Sequence, residues 1–500
     1  MRIGFSPGRR SCSTSRDGDS GLDRRSAVQT LVGHPILSWS LGGVLVALDV
    51  AAIAVLLYRG RGVERTLAWL FAILAFPGVG SLGYFAVANP RVRRVTRRKR
   101  AAHRAVVGSC PVEAAPTETA GGIMTLVERA TDLPSTRGNR VDVLVEDDLA
   151  FQLVEETLES ARCSIWAEYY LIRRDETGRR FLELLAARVQ DGIHVRLLYD
   201  SVGSLGLDRD RLCSQAAGGC VAFHPVNPFR RRWAVHLRNH RKLIVVDGKT
   251  AFTGGMNIGD EYSGRARRRG SLHFKDTHLR LEGPCVQHLE EVFREDWLFA
   301  SGEELGASKP SPSPCAENTA RVAVVPSGPD QERNASHLVY FAAIARAQNS
   351  VRLTSPYFVP DESMLLALIT AALRGVDVRI LVPEKPDAAL VGPASRSYFA
   401  VLLRGGVRIF EYLPAMLHAK TLVVDDILSI VGSANLDIRS FRLNFELGAL
   451  VEDRVTAGVL SQRFDRDLKD SREVVLADVE AWSVVRRIGT GAARLLSPLL

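Results

Sequence analysis

The sequence predicts an α/β protein built as two similar lobes behind two transmembrane helices. Three observations lead there. Two apolar runs, Ile36 to Tyr58 and Leu67 to Val87, stand near the N-terminus. Beyond them, amphipathic helical stretches alternate with short apolar, β-branched runs, twice over and in the same order. Each half then carries a copy of one motif: His240, Lys242, Asp247 and Asn257 in the first, His418, Lys420, Asp425 and Asn435 in the second, each pair 178 residues apart.

Five hundred residues exceed one ordinary core, which agrees with two globular units and additional segments. The net charge of +9 is unevenly placed: residues 1–104 hold 17 Lys+Arg against 5 Asp+Glu, or +12, leaving 48 against 51, or −3, for the rest. A near-neutral body argues against nucleic-acid binding, and a basic N-terminal region argues for a membrane surface. Residues 1–33 are rich in Arg, Ser, Gly and Asp without apolar periodicity and read as a disordered basic tail.

The runs 36–58 and 67–87 contain 23 and 21 residues. At about 1.5 Å per residue each is long enough for a hydrocarbon core of about 30 Å. The first begins too late and runs too long for a cleaved signal peptide. Asp49 in the middle of the first run is expected to be protonated or turned toward the second helix. Pro77, Gly78, Gly80 and Gly83 are expected to kink that second helix and let backbones approach. Arg91, Arg93, Arg94, Arg97, Arg98, Lys99, Arg100 and Arg104 follow it, against Arg59, Arg61 and Arg65 in the connection, so the positive-inside rule places the body in the cytoplasm. Residues 88–135 read as this basic segment and a linker. The seven cysteines form no C-x-x-C pair and read as free thiols.

The lobes are expected over 136–300 and 320–481, joined by a Pro- and Ser-rich linker at 301–319. In the first, Leu153–Arg162 reads as helix, Ser164–Leu171 as strand, Arg179–Gln190 as helix and Val195–Tyr199 as strand. Leu338–Ala347, Ser350–Phe358, Ser363–Leu373 and Val378–Val382 repeat that order. The alternation predicts a mostly parallel sheet covered on both faces.

In the motif regions, 235–262 and 413–440, alternation across a strand puts His240 and Lys242 on one face, while Leu243 to Val246 embed the strand. Asp247-Gly248 is a hairpin-turn dipeptide, and Thr250–Gly254 reads as the returning strand that brings Asn257 back toward the pair. Asp247 and Asp425, at the strand ends, read as supporting residues that anchor the hairpins.

H-x-K-x4-D followed by G-G/S-x-N, present twice, resembles the signature of the phospholipase D superfamily. Ala167-Glu168-Tyr169-Tyr170, Arg238-Asn239-His240-Arg241-Lys242, Ser355-Pro356-Tyr357-Phe358-Val359-Pro360 and Ala434-Asn435-Leu436-Asp437-Ile438-Arg439-Ser440 look like those of bacterial cardiolipin synthases. The resemblance covers about residues 36–500, with Gly255 where many superfamily members have Ser. It implies two phospholipase D-like lobes with pseudo-twofold symmetry, which brings His240 and His418 across one cleft. It further implies transfer of a phosphatidyl group between two phosphatidylglycerol molecules in the bacterial cell membrane. In that scheme His240 is the nucleophile and His418 the acid, a division open to imidazoles because they titrate near neutral pH. Lys242, Lys420, Asn257 and Asn435 hold the phosphate oxygens, and no metal is required. A neutral histidine nucleophile needs its other ring nitrogen oriented, and Asp276 and Glu446, at comparable places after each motif, are the candidates.

Hydrolysis, or transfer to another alcohol, would use the same motifs, and a non-catalytic scaffold is a third reading. His236, His273, His278 and His288 have no repeat partner and read as packing or surface residues. Arg230, Arg231, Arg232, Arg238 and Arg241 crowd the approach to the first motif, either as a solvated face or as an anionic-lipid contact. The C-terminal segment 482–500 sets Val484, Val485, Ile488, Leu495 and Leu496 among Arg486, Arg487 and Arg494. It either lies in a lipid interface or packs on the body.

Overall fold

The computed structural model describes residues 35–59, 63–87, 90–106, 122–207, 219–223, 237–265, 273–307 and 319–495. The expected tail at 1–33, Arg230 to Arg232, His236, Leu496 and most of the linker lie outside these residues. The chain divides into a small unit, Met1–Pro90, and a large one, Arg91–Leu500.

In the small unit the first apolar run is helical over Pro35–Arg59. The second is not one helix. It is broken into Val63–Ala75 and Val79–Val87, because Pro77 removes a backbone donor and Gly78 takes a left-handed φ of 76°. Asp49 turns toward the break, where its carboxylate accepts from the Gly78 amide at 2.9 Å and from the Ser81 hydroxyl at 2.5 Å. It thereby caps the short helix that follows. Among the described residues no helix is long and apolar enough to cross a membrane.

Among the described residues of the large unit, one sheet of 16 strands runs through both lobes. Its centre is the antiparallel pair Thr136–Leu144 and Ala320–Ser327. Outward from this pair the two halves repeat one order. The first half places His278–Glu282, Thr250–Gly254, Lys242–Val246, Ser164–Tyr169, His194–Tyr199 and Cys220–Ala222. The second places Asn444–Glu452, Leu428–Gly432, Thr421–Val424, Ser350–Thr354, Asp377–Pro383 and Arg408–Tyr412. The expectation of a mostly parallel sheet is corrected here: the outer strands of each half pair in parallel, as does the short strand Arg238–Asn239 with Asn444–Phe445, whereas the neighbouring strands named above pair antiparallel from the motif strands inward to the centre. The reason is local. The motif strand is followed by a tight three-residue connection, and no helix is available there for a crossover.

Both turns have left-handed backbone at each central residue, with φ of 53° and 64° at Asp247 and Gly248 and 54° and 52° at Asp425 and Asp426. This is the hairpin geometry that matches strand twist.

The described residues of the segment read as linker form two helices, Pro90–Val106 and Ile123–Thr131. The second buries Ile123, Met124 and Val127 in the core of the second lobe, an amphipathic pattern that the Pro- and Thr-rich approach to it obscured. Lys99, counted above among basic residues beside a membrane, is instead fully buried. Its ammonium pairs with Glu295 at 2.6 Å and with Asp296, both on the buried helix Cys285–Ser301.

Candidate active site

Each motif histidine follows a two-residue strand that pairs with the other lobe. Arg238–Asn239 runs parallel to Asn444–Phe445, and Met416–Leu417 runs parallel to Phe274–Lys275. The His240 amide donates to the Phe445 carbonyl at 2.9 Å, and the His418 amide to the Lys275 carbonyl at 2.8 Å. The next residue after each carbonyl is a carboxylate. His240 Nδ1 therefore meets Glu446 Oε2 at 2.9 Å, and His418 Nδ1 meets Asp276 Oδ2 at 2.6 Å. The two orienting carboxylates are exchanged between lobes.

Both histidines line one cavity of about 350 Å³, together with Asn257, Asn435, Tyr170, Tyr262, Tyr357 and Arg439. Lys242 and Lys420 lie behind them, fully buried. Lys242 Nζ donates to the His240 carbonyl at 2.7 Å, and Lys420 Nζ lies 3.1 Å from His418 Nε2. The side-chain oxygens of Asn257 and Asn435 are buried without a protein partner. A half-turn of either carboxamide would put its NH2 group there instead, as a phosphate oxygen requires.

Burial dominates the electrostatics. It holds His240 below its ordinary value against the pull of Glu446, with Lys242 adding to the depression. Burial and then Lys420 take His418 down to about 4, opposed by Asp276. Burial also brings Lys242 to about 7 and Lys420 to about 8. It would raise the carboxylates too, but their partners prevail: Lys420 and the hydrogen-bonded His418 keep Asp276 low, and the hydrogen-bonded His240 and Lys242 keep Glu446 low. Without substrate, the cavity thus holds two neutral imidazoles over two cations whose protons are readily lost.

The two halves differ in one matched detail. Ser433 in the second copy donates its hydroxyl to Glu446 at 2.5 Å. At the corresponding Gly255 an added Cβ would lie 2.0 Å from Asp276 Oδ1. An aspartate reaches its histidine only by bringing its backbone closer, and glycine leaves the room for it.

Asp247 and Asp425 do not line the cavity. Asp247 accepts from the amides of Arg162, Cys163 and Ser164 at 2.9, 2.7 and 2.8 Å. Asp425 does the same for Gln348, Asn349 and Ser350 at 3.0, 2.7 and 2.9 Å. Each aspartate ties its hairpin to the start of the neighbouring strand. Asp247→Ala is expected to lower unfolding stability by about 1–3 kcal/mol in a denaturant titration while leaving the cavity's chemistry in place. Loss of activity with unchanged stability would assign Asp247 a direct part in the reaction.

Of the arginines expected at the approach, Arg238 lines the cavity and is held by Asp200 at 3.2 Å. Arg241 does not. Its guanidinium points to the other side of the strand, pairs with Asp296, and donates to the Glu446 carbonyl at 3.1 Å. His273, His278 and His288 are buried, as packing residues are. Sequence reasoning gave no role to the rings that clasp the imidazoles. Tyr170 stands edge-on to His240 with centroids 4.9 Å apart, and His418 lies against Tyr262 at 5.4 Å and Phe274 at 5.2 Å. Tyr262 also accepts from Asn257 Nδ2 at 2.9 Å. Their only sequence signal is that they fall in or beside the motif segments.

Comparison with known proteins shows what the chain is similar to. A family model described as "Cardiolipin synthase, PLD-like domain" matches residues 154–297 and 340–468, and one described as the phospholipase D-nuclease N-terminal region matches 47–89. The chain is 36% identical over 481 residues to a cardiolipin synthase of Halalkalibacterium halodurans, covering 92% of this chain and 95% of that one. It is 38% identical over 370 residues to cardiolipin synthase A of Pseudomonas entomophila, covering 74% and 76%. Among solved structures, phosphatidylserine synthase of Haemophilus influenzae superposes with a TM-score of 0.55 at 16% identity, over 76% of this chain and all of that one. That likeness concerns the fold alone.

Proposed function

We propose that this chain, which belongs to the phospholipase D-like cardiolipin synthase family, transfers a phosphatidyl group from one phosphatidylglycerol to the hydroxyl of another, yielding cardiolipin and glycerol. The observation that carries the reading is the pair of imidazoles on one cavity, each held at Nδ1 by a carboxylate, with the Lys420 ammonium beside Nε2 of His418. His240 attacks phosphorus and the bond to the glycerol oxygen breaks, with His418 giving that oxygen its proton. His418 then takes a proton from the hydroxyl of the second phosphatidylglycerol, whose oxygen attacks phosphorus and releases His240. A phosphodiester bound in the cavity brings one negative charge, which raises His418 toward the protonated form that the first step needs. Lys242, Lys420, Asn257 and Asn435 hold the non-bridging oxygens.

Purified chain in vesicles containing labelled phosphatidylglycerol should form labelled cardiolipin and free glycerol in equal amounts. Phosphatidic acid as the main product would make it a hydrolase instead. The dependence on pH follows from the lysines. As pH rises through about 7 to 8, Lys242 and Lys420 of the free enzyme lose the protons that phosphate binding uses, so kcat/KM falls there. A bound phosphodiester holds those protons, so kcat falls at higher pH. Coincident pH profiles for the two constants would remove the lysines from phosphate binding.

The small unit is the membrane anchor in this reading, and its segments 36–58 and 67–87 enter the bilayer. Its exposed Val46, Val50, Leu57, Phe71, Leu74 and Leu82 suit lipid rather than water. The basic helix Pro90–Val106 keeps the body on the cytoplasmic side. Cys163, exposed and free, should resist an impermeant thiol reagent in intact cells and react after lysis. Labelling before lysis would reverse the orientation.

A further inference from the structure

The C-terminal helix Val484–Leu495 is set on the body with its apolar stripe facing outward. At about 100° per residue, Val484, Ile488 and Leu495 fall within roughly 40° of one another, with Val485 at the margin. These four are 72%, 67%, 82% and 81% exposed, in that order. The buried residues are Thr490 and Ala493, on the opposite side, where the helix packs against Val391–Arg396. An amphipathic helix that served only to cover the body would be rotated by half a turn. The attachment is nonetheless specific: Ala493 enters the core of the second lobe, and the Arg494 guanidinium lies 4.6 Å from the Tyr398 ring centroid.

Arg487 and Arg494 border the stripe on one side, Arg486 falls on the opposite side, and the helix contains no acidic residue. Arg486 rests on the Trp482 ring at 4.2 Å, and Arg487 donates to the Glu480 carbonyl. A second copy of the same face would bring like charges together beside its apolar centre. A bilayer with anionic headgroups meets both requirements, taking the stripe into its acyl boundary and the bordering arginines at its phosphates. The seating is close to the chemistry in the chain: Asp387 lines the catalytic cavity, and exposed Leu390 leads into the helix on which Val484–Leu495 rests.

We propose that Val484–Leu495 is an interfacial anchor that lays the catalytic body on an anionic bilayer, a contact separate from the N-terminal segments. This deepens the lipid-substrate reading and rests on it for its consequence, delivery of lipid to the cavity. The test uses the full chain in vesicles of phosphatidylglycerol and phosphatidylcholine, with benzoylphenylalanine in place of Ile488. Illumination should attach phospholipid to position 488, with a lower yield in phosphatidylcholine alone. The exposed pair Val484→Glu and Ile488→Glu should reduce kcat/KM on vesicles about tenfold. Turnover of a short-chain phosphatidylglycerol dispersed as monomers should not change. Adducts formed with protein instead of lipid, or equal kcat/KM on vesicles, would overturn the anchor. A chain that makes no cardiolipin yet forms the lipid adduct would sink the substrate reading and leave the anchor standing.

Discussion

Replacing His240 with alanine is expected to abolish the phosphatidyl-enzyme, with turnover falling by about four orders of magnitude or more. Among the described residues lining the cavity, the one other imidazole held by a carboxylate is His418, to which this scheme gives the acid's part. Lys242 lies behind the histidine with its ammonium on the His240 carbonyl. His418→Ala should fail differently. It removes the leaving-group acid but keeps the attacking imidazole, so a substrate with a leaving group that needs no proton should still load the enzyme. Rapid acid quench, digestion and mapping of the phospho-adduct read both variants. An adduct on His418 in the wild-type chain would reverse the roles and keep the reaction class.

The second large effect belongs to the carboxylates, and its sign across the repeat is unusual. Glu446→Gln should reproduce the His240 phenotype and Asp276→Asn the His418 phenotype, each with a loss on the order of a thousandfold. Either amide still fills the space, but it can turn its NH2 toward Nδ1 and favour the wrong tautomer. Each substitution lies in the lobe opposite the histidine it disables. Loading by the activated substrate separates the two: it should survive Asp276→Asn and be lost in Glu446→Gln. If each variant instead impaired the histidine of its own lobe, the exchange between lobes would be wrong in solution.

Much of this was legible beforehand because the chemistry is carried by short local patterns. The duplicated His-x-Lys fixed the number of lobes, and Asp247-Gly248 fixed a hairpin, since turn geometry depends on a few adjacent residues. The βα alternation placed eight elements within a few residues of their observed positions. The errors share a cause. Pro77 and Gly78, expected only to kink the second apolar run, break it into two helices, and the break is capped by Asp49, 29 residues away along the chain. Lys99 and Arg241 looked like surface charge, but both are neutralised by Asp296, 197 and 55 residues away along the chain. Charge counts do not see partners at that distance.

By itself, then, the sequence determined which groups are the candidates for the chemistry and that they come in two matched sets, because residue type and spacing are properties of the chain. Only the tertiary structure decided that the sets are interlocked. The short strand before each histidine pairs with the strand that carries the other lobe's carboxylate, so neither half completes a site alone. Partner choice between strands is settled by which edges the folded sheet brings together, and no local pattern records it.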